Sequence, residues 1–206
     1  MGAQTRLDRK RAEKIASLER VAARLFAERG FEATGFEEIA AAMDLRGPSL
    51  YHYFSSKEEL FLRCIRQSAS EVLERLQKIT AAGDEPVETL KHLIEDQVYI
   101  ELRDYPEFVP LFFKIQVPVE TLRGEILASR REHAAIFELV VRELLGRRTG
   151  PLGSARVQLE IAFGALAYLP EWFRPGGALT VEQIAAQFAE TLSRPFVEMA
   201  RADQRI

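Results

Sequence analysis

Phenol, imidazole and ammonium groups are crowded into residues 44–60, DLRGPSLYHYFSSKEEL, where four rings follow one another from Tyr51 to Phe54. An amphipathic helix instead spaces its apolar residues three and four apart, so this run predicts one packing face and one contact face. A hydroxyl on a rigid helix can donate to a phosphate oxygen without net positive charge. Lys57 falls in the first turn of the next predicted helix, where unpaired N–H groups favour an anion. These groups predict contact with a polyanion.

Helices must position these groups, because apolar residues recur at helical spacing almost throughout the chain. The first predicted helix ends at Gly30. Thr34 and Glu37 have the spacing of a capping box, which predicts a short second helix that ends near Met43. No segment alternates with period two for long enough to predict a strand. The predicted fold class is therefore all-α.

The third predicted helix is short and begins at Pro48, a residue favoured at the first helical position. Ser56 and Glu59 form a second capping box and open a long fourth helix that ends at Gly83. Further helices are predicted over about 85–103, 106–115, 119–145 and 154–169. One more helix begins at a capping box formed by Thr180 and Gln183. Pro195 should kink or end this final helix near Arg194. A loop is predicted at 147–154.

Two short helices joined by a tight turn, held between a first helix and a long fourth one, make a helix-turn-helix unit. Leu50 and Phe54 lie four residues apart on the third helix and should point inward with Leu45, toward Ile39. The remaining circumference then carries the polar rings. Tyr51 could instead simply pack its ring and leave its hydroxyl in water, and His52 could be solvated surface.

Residues 10–66 resemble the DNA-binding domain of the TetR family of bacterial transcriptional repressors, through the stretches AARLFAERGFEATGFEEIAAAM and LRGPSLYHYFSSKEELF. The resemblance implies a homodimer that binds double-stranded DNA at a palindromic operator and leaves it when a small molecule binds a second domain. Carried over by position, the residues implied to contact the sugar-phosphate backbone are Thr34, Ser49, Tyr51, His52, Tyr53 and Lys57. Those implied to lie nearest the base edges are Arg46, Gly47 and Pro48.

Two positions depart from the family pattern. Gly47 and Pro48 replace the polar or basic residues that many members carry at the start of the recognition helix, so thymine methyl groups, Arg46 and DNA shape would carry more of the specificity. Glu37 stands where many relatives have a basic residue, and capping would account for it. A basic N-terminal arm from Arg6 to Lys14 could reach the backbone or minor groove.

The expected domains are a DNA-binding helix-turn-helix domain at 1–56 and an α-helical effector-binding and dimerisation domain at 57–206. Aromatic residues beside two prolines at 98–115 suggest a cavity for an uncharged, hydrophobic effector. The candidate effector residues are Tyr99, Phe108, Phe112, Phe113, His133, Phe137, Tyr168 and Trp172. A lone histidine on an apolar face is more often a hydrogen-bonded core residue, so His133 has both readings.

The helix at 154–169 is apolar nearly all round, which predicts burial on more than one side. With the last helix it resembles the pair that forms the family's dimer interface, although filling a monomer core is the alternative. The candidate interface residues are Leu159, Phe163, Leu166, Ile184, Phe188 and Leu192.

Composition limits the other functions. Residues 1–66 carry 12 Lys and Arg against 10 Asp and Glu, whereas the other 140 carry 16 against 21, within a net charge of −3. A basic tip on an acidic body suggests a localised polyanion contact. No apolar run suggests a membrane span or secretory signal, so a cytoplasmic location without membrane contact is expected.

An enzyme is the rival class, but His52, His92 and His133 show no metal-ligand spacing, and no glycine loop suits a phosphate. Cys64, the single cysteine, lies on an apolar face, where an inert thiol is expected. No catalytic residue, metal or cofactor is predicted. A third possibility is a ligand- or partner-binding helical module whose helix-turn-helix no longer reads DNA.

Overall fold

In a computed structural model that describes residues 2–146 and 152–203, every regular element is helical, as the sequence predicted. The predicted loop at 147–154 falls mostly on residues 147–151, outside the described residues. The helices are α1 (Gly2–Arg29), α2 (Phe36–Ala41), a 3₁₀ helix (Gly47–His52), α3 (Lys57–Ala81), α4 (Pro86–Tyr99), two π-helical segments (Ile100–Asp104 and Pro110–Lys114), α5 (Glu120–Leu144), α6 (Ser154–Ala167), α7 (Leu169–Trp172) and α8 (Val181–Asp203). Within the described residues, no helix combines the length and hydrophobicity needed to cross a bilayer.

The chain forms two compact units, so α3 and α5 each contribute residues to both. Unit 1 comprises Met1–Ala69 and Glu107–Ala128, and unit 2 comprises Ser70–Pro106 and Ser129–Ile206. The domain boundary expected between residues 56 and 57 stays a prediction.

Aromatic rings organise the core of unit 1. Phe26 and Phe31 both meet Phe61 edge to face, with ring centroids 5.0 and 5.1 Å apart. Beside them the Sγ of Cys64 lies 3.3 Å from the carbonyl oxygen of Glu19. Burial raises the pKa of this thiol well above its usual range, which keeps it protonated and unreactive.

The helix ends test the predicted caps. The box at Thr180 and Gln183 is confirmed, because each residue's N–H donates to the other's side-chain oxygen. At Ser56 one half is confirmed: its hydroxyl accepts from the Glu59 N–H, while the Glu59 carboxylate accepts from Ser55 instead. Of the two outcomes predicted at Pro195, an end of the helix is wrong, because α8 continues to Asp203, whereas a kink stays a prediction.

The cap of α2 lies one residue later than predicted. Gly35 is the N-cap, and its N–H donates to the carboxylate of Glu38 over 3.3 Å. Thr34 and Glu37 therefore have no capping role. Thr34 is fully buried, and its hydroxyl donates to the carbonyls of Gly30 (2.8 Å) and Leu25 (3.2 Å) at the end of α1.

Unit 2 contains a buried polar relay made of His133 on α5, Gln97 on α4 and Glu101 in the π-helical segment that follows α4. The Nε2 of His133 lies 2.8 Å from the amide oxygen of Gln97, whose nitrogen donates to Glu101 over 2.9 Å. All three side chains are buried, and His133 also contacts the rings of Phe137 and Phe163. His133 is thus a hydrogen-bonded core residue, which was one of its two sequence readings. Burial lowers the pKa of His133 to about 4, because the apolar surroundings disfavour the charged ring.

This low pKa predicts acid sensitivity. The folded protein keeps the ring neutral down to about pH 4, whereas an unfolded chain protonates it near pH 6.5, so the unfolded state binds more protons between these values. The free energy of unfolding should therefore fall as pH drops from 7 toward 4, by about 3 kcal/mol from this residue. Urea denaturation at several pH values should show a shallower dependence in His133→Gln, which keeps a neutral hydrogen-bonding side chain. Equal slopes in the two proteins would contradict the assignment.

Candidate nucleic-acid interface

A tight turn after α2 sets the direction of the next helix. The N–H of Leu45 donates to the carbonyl of Ala40 (2.8 Å) and that of Asp44 to Ala41 (3.2 Å), the pattern of a Schellman motif. Asp44 takes the left-handed conformation that this motif requires, with φ of 55°. Aspartate tolerates this conformation better than most residues. The chain is thereby turned into the 3₁₀ helix.

The 3₁₀ helix separates buried from exposed rings as the spacing predicted. Leu50 and Phe54 are buried in unit 1, at 0 and 1 % exposure, whereas Tyr51 is 65 % exposed. The ring of Tyr51 is still held, because it meets Phe36 of α2 with centroids 4.9 Å apart. A short helix with Leu50 buried within it and Phe54 buried just after it therefore presents a tyrosine hydroxyl at the surface in a defined place.

Exposed neighbours extend this surface. Arg46, Pro48 and His52 are exposed, and with Tyr51 we call them the reading surface. Ser49 is half-buried, and its N–H donates to the carbonyl of Arg46 over 2.9 Å. The residues predicted to meet DNA from this helix are thus brought together on unit 1.

Gly47 lies where α2 and the 3₁₀ helix approach each other. A Cβ added at this position would be 3.0 Å from the Cγ of Glu37, closer than ordinary packing allows. A larger residue at Gly47 would thus require the Glu37 side chain to shift by a few tenths of an ångström.

Arg11 of α1 holds the other end of the 3₁₀ helix. Its Nη2 donates to the carbonyl of His52 over 3.3 Å, and its guanidinium carbon lies 5.8 Å from the centre of the half-buried Tyr53 ring. The basic N-terminal arm is therefore part of a helix, and Arg6, Arg9 and Lys10 along it are exposed. No sequence pattern indicated this role of Arg11, because its partners His52 and Tyr53 are distant from it in the sequence.

Lys57 has internal partners that the sequence did not indicate. Its Nζ lies 2.9 Å from the carbonyl of Phe31 and 3.3 Å from that of Glu32, and 4.5 Å from the centre of the Phe31 ring. The ammonium thus ties the start of α3 to the α1–α2 loop, and it uses two of its three donors. One donor remains for a phosphate. Thr34, by contrast, is a correction: its buried hydroxyl is directed into unit 1 and is not available to a phosphate.

The predicted effector residues are divided between the two units. In unit 1, the rings of Phe108 and Phe112 are buried and tilted by 31° with centroids 4.6 Å apart, while Phe113 is 39 % exposed. In unit 2, Phe137 contacts the ring of His133, and Arg103 lies over the ring of Tyr99. Trp172 stacks on Phe188, and Tyr168 is exposed. Their role in effector binding stays a prediction.

Three of the predicted interface residues need correction. Leu159, Leu166 and Ile184 are at most 2 % exposed within a single chain, because they pack into unit 2. They fill the core, the alternative considered from sequence. Phe163, Phe188 and Leu192 are half-buried. The exposed apolar side of α6 carries instead a stripe at helical spacing, comprising Val157, Ile161, Gly164 and Tyr168.

Comparisons with known proteins agree with this geometry. Residues 20–64 match the family described as "Bacterial regulatory proteins, tetR family", and residues 83–196 match "Tetracyclin repressor-like, C-terminal domain". The HTH-type transcriptional repressor KstR2 of Mycobacterium tuberculosis is 30 % identical over 190 residues, which cover 82 % of this chain and 85 % of that protein.

Solved structures share the fold over most of the chain. The ketosteroid transcriptional regulator KstR2 of Mycobacterium tuberculosis has a TM-score of 0.74 at 22 % identity, covering 88 % of this chain and 94 % of that one. AibR in complex with isovaleryl coenzyme A and operator DNA also has a TM-score of 0.74, at 24 % identity, covering 85 and 95 %. A helix-turn-helix with an exposed reading surface, followed by a matching C-terminal domain, identifies a DNA-binding transcriptional regulator, and the chain belongs to the TetR family.

Proposed function

We propose that this protein is a homodimeric repressor that binds a palindromic operator through Tyr51 and its neighbours and leaves it when a hydrophobic effector binds. The observation that carries the proposal is the reading surface itself. Tyr51 and His52 are exposed on a helix fixed by Leu50 and Phe54, so their donors are preorganised for a phosphate. Arg46 can reach a guanine edge and Pro48 a thymine methyl group.

Basic groups on α1 supply the longer-range attraction. Lys10 and Arg6 are exposed on the turns that precede Arg11, and Arg11 is attached to the 3₁₀ helix. A duplex that reaches His52 therefore passes near this basic end. Each phosphate that such a residue neutralises releases counterions, which adds affinity and makes it salt-dependent.

The exposed stripe on α6 supports the homodimer. Val157 and Ile161 are 58 and 54 % exposed, and Tyr168 is 63 % exposed, on the same side of the helix. Gly164 lies between them and has no atom within 4 Å of an added Cβ, which leaves room for a second helix. Large apolar side chains exposed together on one side of a helix are typical of a protein interface. A second copy fits it, because a palindromic site needs two reading surfaces about 34–36 Å apart.

The buried polar relay of unit 2 supports an effector with an apolar body and one polar group. His133 lies 2.8 Å from Gln97 and contacts the rings of Phe137 and Phe163, and polar groups with apolar surroundings are typical of small-molecule sites. The π-helical segment Ile100–Asp104 follows directly, and π-helical turns are frequent at functional sites. KstR2 is a ketosteroid regulator by name and AibR binds isovaleryl coenzyme A, so acyl thioesters and steroid ketones are the first compounds to test.

The DNA proposal is tested by selecting duplexes from a random pool and titrating the enriched site at several salt concentrations. We expect an inverted repeat, and Tyr51→Phe should weaken binding by about 1 kcal/mol, because one phosphate hydrogen bond is lost. Tyr105→Phe, which removes a hydroxyl in unit 2, is the matched control. Weak binding without enrichment would favour the alternative of a helical module that no longer reads DNA.

The dimer proposal is tested with Ile161→Arg, which places a charge in the apolar stripe. Sedimentation should show monomers at micromolar concentration, because burying an unpaired charge costs several kcal/mol, and operator affinity should fall with it. Leu127→Arg changes a residue in unit 1 that is 51 % exposed and should remain dimeric. An unchanged dimer in Ile161→Arg would assign the interface to another surface.

The effector proposal is tested by thermal unfolding and operator release with isovaleryl coenzyme A, free coenzyme A and a steroid ketone. A compound at 100 times its dissociation constant should stabilise the protein by about 2.7 kcal/mol. Gln97→Leu should lose the response and Gln77→Leu, an exposed site on α3, should keep it. An equal response in both variants would contradict the role of the relay.

A further inference from the structure

Glu37 is an exposed acid beside the reading surface, in the first turn of α2. Its Cγ lies 3.0 Å from where a Cβ of residue 47 would be. The absence of a side chain at Gly47 therefore makes room for Glu37 next to the start of the 3₁₀ helix. An acid in such a place is unexpected for a surface that meets phosphates.

Capping does not account for this acid. Glu38, the next residue, accepts the N–H of Gly35 and forms an ion pair with Arg29. Among the side chains that the structure describes, none forms a hydrogen bond or an ion pair with the carboxylate of Glu37. Glu38 thus completes the N-terminal cap of α2, and Glu37 is available for a contact outside the protein.

The surroundings decide which contact suits it. Glu37, Pro48 and Tyr51 line one shallow depression of about 430 Å³ on unit 1. A duplex that touches Tyr51 must come close to Glu37. Glu32, Glu38 and Lys57 also line the depression, so three carboxylates face one ammonium and a phosphate beside Glu37 is disfavoured. The major-groove edge of cytosine instead offers an amino donor that carboxylates accept.

We propose that Glu37 reads a cytosine in each half-site through the N4 amino group, and that Gly47 provides the space for it to do so. This inference rests on the proposed operator binding and names the base that one side chain selects. The same carboxylate also repels phosphates at non-specific sites. It therefore strengthens binding to the operator and weakens binding to other DNA. A 3₁₀ helix that begins with Gly47 and Pro48 is thereby supplemented by a directional hydrogen bond from α2.

The test is to select duplexes from one random pool with the wild-type protein and with Glu37→Gln. The wild type should enrich an inverted repeat with cytosine at one position of each half-site. Glu37→Gln should shift that position toward adenine, whose N6 and N7 suit a glutamine amide, with about tenfold loss of preference for cytosine. Glu32→Gln removes a negative charge from the same depression and should leave the base preferences unchanged.

Gly47→Ala is the second variant, because its Cβ would push Glu37 aside without altering the carboxylate. Circular dichroism would check that it folds, and its preference should weaken at the same position as that of Glu37→Gln. An inverted repeat with the same bases in wild type and Glu37→Gln would overturn the inference and leave operator binding intact. No enrichment by the wild type would reject operator binding and this inference together.

Discussion

Burial of Leu50 and Phe54 beneath a six-residue helix is the constraint on which the DNA interface depends. Leu50 lies within the 3₁₀ helix and Phe54 two residues after its end, so together they fix both the rotation and the depth of this helix. Tyr51 must then face outward, and contact with Phe36 limits where its ring can go. In the proposed complex, apolar packing would thereby prepare the tyrosine hydroxyl for DNA, and little side-chain entropy would be lost on binding.

Two basic side chains that the sequence predicted to meet DNA also make internal contacts that hold unit 1 together around the 3₁₀ helix. Arg11 is attached to the carbonyl of His52, and Lys57 to those of Phe31 and Glu32. Both are positively charged when they make these bonds, so each can also attract a phosphate nearby. A single cation can therefore position the reading surface and contribute to binding, and truncating it to alanine would remove both effects at once.

Sequence patterns predicted the helices well because apolar spacing is set by burial, and burial determines the fold. They did not fix the cap of α2, because ATGFEE contains two capping residues and two acids in adjacent registers. Tertiary burial of Thr34 selected the register of Gly35 and Glu38. Likewise, α6 is apolar nearly all round, so its spacing gives little signal that tells its core side from its exposed side. Only packing distinguishes Leu159 from Ile161.

Modest charge in the DNA-binding unit is consistent with selective recognition. With 12 basic and 10 acidic residues in the first 66, attraction to DNA in general is limited. A more basic surface would bind faster and more tightly to every sequence, which raises competition from non-specific sites. The carboxylate of Glu37 reduces that attraction further. In the proposed complex, its repulsion of the phosphates is offset only at sites where a base offers it a hydrogen-bond donor. Specificity is then a difference of two affinities, and lowering the unwanted one is as effective as raising the other.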